Sequence, residues 1–184
     1  MNKLSTAAWA AHNLGLAIGF GGTLFGKMAL NPSVKAISSE SERGKILSSA
    51  WNRYNALNAF SLGRAAATWF MGRAGISGRS LDQQARGLVL VKDVLFGAAS
   101  LAGLASAIGG LIVSCQAPEG ATPTETSNVP APETPDRAAW LIRMNSMLGN
   151  ANLALLASII VVTTVLSMKA SESTRWSAFS RLLP

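Results

Sequence analysis

Residues 8–26 read AWAAHNLGLAIGFGGTLFG, and this stretch decides the fold of the chain. Six small residues recur in it at steps of three or four, which places all of them on one face of a helix: Ala8, Ala11, Gly15, Gly19, Gly22 and Gly26. An interior glycine costs a soluble helix about 1 kcal/mol relative to alanine. In lipid, a face of small residues instead lets two helix backbones approach closely. The stretch therefore predicts a transmembrane helix that carries a packing seam.

The composition of the whole chain also indicates a membrane protein. Of its 184 residues, 49% are hydrophobic and only 14% are charged, whereas soluble domains usually contain about 25% charged residues. The net charge of +7 predicts no nucleic-acid partner, because the basic residues collect beside apolar segments and form no basic and aromatic patch. The single cysteine, Cys115, excludes an intrachain disulfide and a cysteine-built metal site.

Four segments are predicted as membrane spans, at about 7–30, 50–71, 87–114 and 138–168. The second is the least apolar because it contains Arg53 and Arg64, and the sequence leaves open whether it crosses the bilayer fully. Before it, Ser39 predicts a helix N-cap, with Glu42 three residues later completing a capping box. The predicted fold is all-α: an integral membrane four-helix bundle in one domain, residues 1–184.

The charge pattern predicts an orientation. Residues 116–136, between the third and fourth spans, hold five of the seven prolines and no lysine or arginine, which predicts an extended, solvated loop outside the membrane. Basic residues concentrate instead at 73–92 and from Lys169 onward. All five tryptophans fall at or beside a predicted span end, where amphipathic rings prefer to lie. We therefore expect a bacterial inner (cytoplasmic) membrane protein with both termini in the cytoplasm.

The two halves of the chain share a pattern at a separation of 88 to 90 residues. The matched pairs are Gly15 with Gly103, Gly22 with Gly110, Arg53 with Arg143, and Asn55 with Asn145. Each half would then be a hairpin of one small-residue helix and one longer, asparagine-bearing helix. An even number of spans in each half makes this a parallel repeat.

Two spans carry faces of small residues. The predicted helix-packing residues are Gly15, Gly19, Gly22 and Gly26 on the first span and Gly103 and Gly110 on the third. Both helices are expected to pack closely, and packing against each other is one arrangement. The alternative is that a cofactor ring or lipid tail lies on a glycine face.

Ionisable and polar residues predict one candidate site near the cytoplasmic side, formed by His12, Asn13, Arg64, Lys92 and Asp93. Charged residues inside spans are costly and indicate function by default. An Arg64–Asp93 ion pair would offset much of that cost. The site would then handle protons or bind an anionic ligand. Alternatively, Lys92 extends its amine to the membrane interface, and the pair only keeps Arg64 in the bilayer.

A second candidate site, toward the outer side, contains Arg53, Tyr54, Asn55 and Asn58 on the second span and Arg143, Asn145, Asn150 and Asn152 on the fourth. Asn55 and Asn58 share a helix face, as do Asn145 and Asn152 at a spacing of seven. Asparagines form hydrogen bonds between helices at about 1 kcal/mol each, so a structural role is one interpretation. A polar pocket for a lipid headgroup, a quinone or a small anion is the other.

His12 is the single histidine, and near a membrane interface it could ligate a haem or chlorophyll metal; the alternative is a histidine satisfied inside the protein. Cys115 follows Ile112, Val113 and Ser114 as in a lipoprotein signal, but such signals are N-terminal, so an unmodified cysteine is expected. No catalytic triad, carboxylate pair or phosphate-binding glycine motif is present in the sequence.

These observations leave two hypotheses for function. The first is a non-enzymatic accessory or scaffold subunit of a membrane complex, which associates with other membrane subunits or with itself in the lipid bilayer. The alternative is a small transporter or a lipid- or quinone-binding protein that uses the arginine and asparagine clusters. No cofactor is predicted, while a bound lipid, quinone or pigment stays open.

Overall fold

A computed structural model describes residues 3–76 and 83–179 of the chain, and the side chains of residues 7–72 and 86–169. Within these ranges the secondary structure is helical and contains no strand. Four long helices make up most of it: α1 (Lys3–Phe25), α3 (Glu40–Ile76), α4 (Gln83–Ser114) and α5 (Asp136–Phe179). The all-α prediction is therefore confirmed.

The connection from α1 to α3 is itself mostly helical. A π-helical turn, Gly26–Leu30, leads into the short helix α2 (Asn31–Ser33) and a 3-10 turn, Val34–Ala36. Pro32 lies in the first turn of α2, where its missing N–H is tolerated. The hydroxyl of Ser39 accepts a hydrogen bond from the backbone N–H of Glu42 at 3.3 Å, so the predicted N-cap of α3 is present.

The long helices form two hairpins that pack side by side. Helix α1 packs against α3, and α4 packs against α5; the hairpins then meet through α3 with α4 and through α1 with α5. Helices α1 and α4 consequently lie diagonally across the bundle, and the two glycine-bearing helices are not neighbours. Packing of their small-residue faces against each other, one of the arrangements considered, therefore does not occur: the glycines of α1 lie on α3, and Gly103 and Gly110 of α4 have only asparagine side chains of α3 and α5 near them. The internal repeat stays a prediction.

The seam of α1 lies against α3 along its whole length. A Cβ atom added at Gly15 would lie 2.5 Å from the carbonyl oxygen of Ser61. At Gly22 and Gly26 it would lie 2.2 Å from the Tyr54 ring and 2.5 Å from the Trp51 ring. Only glycine fits these distances, so α1 and α3 approach as closely as the sequence pattern predicts.

The buried interior alternates between apolar and polar layers. The larger apolar cluster contains Leu16, Leu62, Trp69, Phe96 and Leu156, in the half of the bundle where α1 begins and α3 ends. A smaller cluster of Val113, Leu141 and Ile142 lies near the end of α4. Buried Asn58 and Asn152 lie between these clusters. This polar layer lies in the middle of the fold, where a soluble core would be apolar.

Two helical stretches of the described chain are long and apolar enough to cross a membrane: Arg86–Ser114 and Asp136–Lys169. They belong to α4 and α5. Within the described residues, α1 and α3 contain no stretch that meets the same test; α1 contains His12 and Asn13, and α3 contains Arg53 and Arg64.

The connection between α4 and α5 is folded, contrary to the expected extended, solvated loop. Thr122, Thr124, Ala131 and Thr134 are all buried within it. Its threonine hydroxyls donate to backbone carbonyls, as from Thr122 to Val113 at 2.7 Å. Composition suggested a solvated chain because it contains few apolar residues, but hydroxyl-to-backbone hydrogen bonds replace apolar contacts here.

Candidate functional site

A cavity of about 140 Å³ lies between the four long helices, beneath the connection from α4 to α5. We call it the polar cavity, because most of its lining residues carry amide or hydroxyl groups, although apolar atoms form the larger part of its exposed wall. Its asparagines are Asn31, Asn52, Asn55, Asn58, Asn128, Asn145 and Asn152, and its other polar side chains are Thr23, Lys27, Ser48, Tyr54, Ser106, Thr122, Thr124, Ser127 and Ser146. Small residues, including Gly103, Gly110 and Gly149, leave the space that it occupies.

Helical periodicity brings the asparagines together. Asn52, Asn55 and Asn58 follow one another at steps of three on α3 and therefore share a face. Asn145 and Asn152 are two turns apart on α5 and share a face in the same way. The hairpin packing directs both faces to the centre of the bundle, where they meet.

Hydrogen bonds fix parts of the cavity wall. The Tyr54 hydroxyl donates to the Gly19 carbonyl at 2.6 Å and lies 2.9 Å from the Thr23 hydroxyl. The Trp51 indole N–H donates to Asn31 Oδ1 at 3.1 Å. Asn52 Nδ2 donates to the Ser114 hydroxyl at 2.9 Å. These side chains are therefore held in position before any molecule enters the cavity.

Three asparagine oxygens of the cavity have no hydrogen-bond donor among the described residues: Asn58 Oδ1, Asn145 Oδ1 and Asn152 Oδ1. Asn58 and Asn152 are only 7% and 5% exposed. A buried acceptor without a partner costs about 1–3 kcal/mol. Native structures contain few such groups. All three oxygens are inaccessible to solvent, and those of Asn58 and Asn145 lie beside Gly19 and Gly109, so they face helix backbone and not the open space of the cavity.

The cavity has one cationic side chain and no carboxylate among its described lining residues. Lys27 supplies the charge. Its amino group donates to the Ser146 carbonyl at 3.3 Å and lies close to Gly149. Because an ammonium group has three N–H donors, Lys27 retains capacity to bind an acceptor inside the cavity.

The connection between α4 and α5 covers the cavity, and we call residues 116–135 the lid. Thr122, Thr124, Ser127 and Asn128 of the lid line the cavity roof. A Cβ atom added at Gly44 of α3 would lie 1.8 Å from the Thr122 carbonyl oxygen, so the lid backbone rests directly on α3.

Polar contacts hold the lid on α3. The Thr124 N–H donates to the Glu40 carbonyl at 3.2 Å, and the Arg43 guanidinium donates to the Glu125 carbonyl at 3.1 Å. Lys45 and Glu119 form an ion pair. The hydrogen bond that Lys45 donates to the carboxylate of Glu119 in this pair lowers the pKa of the exposed Glu119 carboxyl and raises the pKa of Lys45. The pair therefore contributes to lid closure while Glu119 is ionised, and this contribution is lost as the pH falls through the lowered pKa of Glu119.

A second polar cluster lies at the opposite end of the bundle, and we call it the aromatic box. Lys92 is fully buried there, with its amino group 3.8 Å from the centre of the Trp69 ring and within 6 Å of the ring centres of Trp9 and Phe96. Its amino group donates to His12 Nε2 at 3.0 Å. The other ring nitrogen of His12 lies 2.7 Å from the Ala65 carbonyl, and since a carbonyl only accepts, Nδ1 carries the proton.

The structure separates several of the predicted site residues. Lys92 does not extend to an interface, because the three rings of the box enclose it. Arg64 and Asp93 do not form an ion pair with each other. Asp93 accepts a hydrogen bond from the Trp69 indole at 2.8 Å, and the Arg64 guanidinium lies 5.9 Å from the centre of the Phe60 ring.

The outer cluster divides in a similar way. The polar cavity is lined by Tyr54, Asn55, Asn58, Asn145 and Asn152. Arg53, Arg143 and Asn150 are instead exposed on the outside of the bundle. Helical geometry explains the division, since residues two positions apart differ by about 200° around the axis. The spacing between Arg53 and Asn55 already contained this information.

Lys27 is the charged residue of the cavity, and the sequence did not single it out. It follows the seam glycine Gly26, and the π-helical turn that begins there carries it. A lone lysine near a predicted span end is ordinarily read as an interfacial charge. The sequence feature that could have identified Lys27 is its position one residue after the seam, which directs its side chain toward the other helices.

Among the described residues, no group of three His, Cys, Asp or Glu side chains could hold a metal ion. Comparisons with protein-family models, with curated proteins and with solved structures find no match to this chain. The polar cavity and the aromatic box are therefore interpreted from their own chemistry.

Proposed function

We propose that the chain is an integral membrane four-helix bundle that binds a small polar molecule in the polar cavity. This proposal rests on the cavity itself, which lies between the four long helices and has Lys27 as its one cationic side chain and no carboxylate among its described lining residues. A cavity of this kind is a pre-formed binding site with convergent polar groups. The lid would control entry from the outer side.

The outer surface supports the membrane part of the proposal. Large apolar side chains are exposed on every long helix, among them Phe25, Phe60, Leu101 and Val161, while His12, Lys92 and the cavity asparagines are buried. The most apolar windows of α4 and α5 are only 17% and 22% buried, unlike core helices of soluble proteins. Along α4 the exposed apolar residues extend from Leu90 to Leu111, or about 32 Å at 1.5 Å per residue. A bilayer core is about 30 Å thick.

The first argument for a scaffold function no longer applies. The glycine face of α1 suggested a surface for partner helices, but Gly15, Gly22 and Gly26 contact α3 of the same chain. The polar cavity, by contrast, is a space that no described side chain fills.

The test of binding is native mass spectrometry of the full-length protein released from membranes in mild detergent. We expect a retained small molecule, and we expect Gly110→Leu to abolish its retention. A Cβ at Gly110 would have no neighbour closer than 3.8 Å, so the leucine side chain would extend into the cavity. Gly97→Leu is the matched control on α4, since Gly97 is exposed with open space around it. Equal retention by both variants, or no retained molecule in the unmodified protein, would contradict the proposal.

Cys115 tests the membrane orientation without further engineering, because it is exposed at the end of α4 and is the single cysteine of the chain. A membrane-impermeant maleimide should label Cys115 in intact cells. Moving the cysteine to the other end of the bundle, with Cys115→Ser and Gly72→Cys together, should restrict labelling to permeabilised cells. Labelling of Gly72→Cys in intact cells would mean that the protein has the opposite orientation in the membrane.

Association with a partner subunit is the second candidate function, and a different surface favours it. Ala56, Ala59, Gly63 and Ala67 are exposed on α3 at steps of three and four, which leaves a shallow face for another helix. Gly63→Leu should then abolish co-purification of a partner or of a second copy, whereas Gly97→Leu should not. A protein that is monomeric in native membranes before any substitution would exclude this function.

A further inference from the structure

We infer that the molecule bound in the polar cavity is a small anion with a single negative charge, which accepts hydrogen bonds from Lys27 and from asparagine amide groups. The ligand needs no hydrogen-bond donor of its own. This inference rests on the proposed function, since it names the class of ligand for the same cavity.

The charge of the cavity selects an anion. Lys27 is half-buried, and no described lining residue supplies a carboxylate to balance its charge. Its one described hydrogen bond runs to the carbonyl of Ser146, which is neutral. Because burying a charge without a counter-charge is unfavourable, an anion is stabilised at this position more than a neutral molecule.

Amide nitrogens lie close to two glycines of α4 that line the cavity. A Cβ atom added at Gly103 would lie 3.9 Å from Asn152 Nδ2. At Gly110 it would lie 3.8 Å from Asn55 Nδ2 and 4.0 Å from Asn145 Nδ2. Among the described residues, no acceptor receives a hydrogen bond from these three amide groups. Since an amide nitrogen only donates, this part of the wall favours a ligand that accepts.

The amide oxygens are turned away from the ligand in two of these residues. Asn145 Oδ1 and Asn152 Oδ1 are inaccessible to solvent, and Asn145 Oδ1 would lie only 2.5 Å from a Cβ at Gly109. The nitrogen is therefore the atom of each amide that a molecule in the cavity can contact. Asn52 Oδ1, at 3.8 Å from a Cβ at Gly110, is the one amide oxygen beside the three nitrogens.

Lys27 and the amides of α5 lie at a similar level of the bundle. The amino group of Lys27 lies 3.2 Å from the position that a Cβ would occupy at Gly149. Gly149 lies between Asn145 and Asn152, at four and three residues from them, which corresponds to about 4.5–6 Å along the axis of α5. One small anion beside the amino group can therefore accept from Lys27 and from an amide group together.

The volume and the wall limit the size and the charge of the ligand. The cavity of about 140 Å³ is close to the volume of about 150 Å³ that holds benzene in an engineered protein cavity. Lys27 is the one cation among the described lining residues, and apolar atoms form the larger part of the exposed wall. A second negative charge would be buried there without a partner, which is unfavourable. Nitrate and short-chain carboxylates meet both limits, whereas sulfate exceeds the limit on charge.

The experiment measures equilibrium binding of four probes to the full-length protein in nanodiscs by isothermal titration calorimetry, in a chloride-free buffer because chloride would compete. Propionate and nitrate carry one negative charge, propionamide has the shape of propionate without its charge, and sulfate carries two charges. We expect propionate or nitrate to bind at least tenfold more tightly than propionamide and sulfate. Binding of propionate alone assigns a carboxylate, and binding of nitrate alone assigns an inorganic anion; either result, or binding of both, supports the inference.

Variants locate the two contacts. Lys27→Met and Asn152→Leu should each weaken binding of the preferred probe at least tenfold. Lys35→Met and Asn150→Leu are their matched controls, because Lys35 and Asn150 are exposed, and they should bind as the unmodified protein does. Thermal unfolding of each variant shows that it is folded, and a variant that does not fold is replaced by Lys27→Gln or Asn152→Ser.

The inference is overturned when neither propionate nor nitrate binds at millimolar concentration, when propionamide or sulfate binds as tightly as they do, or when Lys27→Met binds as the unmodified protein does. A cavity filled only with water gives the first of these results. Failure of the probes while native mass spectrometry still finds a molecule displaced by Gly110→Leu refutes the anion assignment and leaves the proposed function intact. Failure of both experiments refutes both.

Discussion

The polar cavity and the aromatic box bury polar groups at opposite ends of one bundle, but they treat those groups differently. In the box, Lys92 donates to His12, and His12 donates to the carbonyl of Ala65, so each of these groups has a partner within the chain. In the cavity, Asn58 and Asn152 are as deeply buried, yet each has an oxygen without a donor. The two clusters thus differ in how far residues of the same chain satisfy their buried polar groups.

The difference has an energetic consequence. A satisfied polar network stabilises one arrangement of the helices, and removing one member leaves the others unpaired. An unsatisfied acceptor stabilises nothing, so removing it costs little or is favourable. The box should thus respond to substitution as part of the fold, and the cavity as a binding site.

The largest expected effect lies in the box. His12→Leu leaves the buried amino group of Lys92 without its acceptor and should lower the free energy of unfolding by about 3 kcal/mol, measured by denaturant titration in detergent. Adding Lys92→Met removes the unpaired group, so the double variant should be more stable than His12→Leu alone. Asn13→Leu, at the adjacent exposed position, serves as the control. A double variant less stable than either single variant would mean that the box is not a coupled pair.

A smaller effect is expected at the lid. Gly44→Ala places a methyl group against the backbone of Thr122 and should push the lid outward at a cost of about 1–3 kcal/mol. Hydrogen exchange of the Thr122 and Thr124 amides should then be about tenfold faster or more, because the closed lid protects them. Gly63→Ala on the same helix, with open space around it, should change nothing. Unchanged exchange in Gly44→Ala would show that the lid does not depend on this contact.

The smallest effect is expected within the cavity. Asn58→Leu removes an acceptor without a donor and should change the free energy of unfolding by no more than about 0.5 kcal/mol. Asn52→Leu should cost about 1 kcal/mol, since it breaks the hydrogen bond from Asn52 to Ser114. The same denaturant titration measures both variants. A loss above about 1 kcal/mol in Asn58→Leu would place Asn58 with the structural residues of the box and remove the contrast between the two regions.

Local periodicity made part of the site predictable. The steps of three between Asn55 and Asn58, and the step of seven between Asn145 and Asn152, placed these amides on common helix faces before any packing was known. The same periodicity separates Arg53 from Asn55 and Arg143 from Asn145, although proximity in the sequence grouped them together. Spacing within a helix thus predicts which side chains share a face, provided that the angle of each residue around the helix axis is taken into account.

Contacts between distant segments were not predictable in this way. Lys92 and His12 are 80 residues apart, and nothing in either neighbourhood indicates that three aromatic rings would enclose the lysine. Lys27 needed both the π-helical turn and the approach of α5 to enter the cavity. The sequence predicts the lid as a solvated chain, because nothing in the lid's own residues indicates that carbonyls and a glycine of α3 and α4 contact it.

The sequence by itself determined that this chain is helical, that one face of α1 consists of small residues, and that amides line one face each of α3 and α5. These properties follow from residue spacing along single helices. The tertiary structure decided which faces meet: the glycines of α1 lie on α3, the amides of α3 and α5 lie around one cavity, and the lysine of α4 lies inside a box. Those outcomes depend on close packing between segments far apart in the chain, where sub-ångström fit selects the partners.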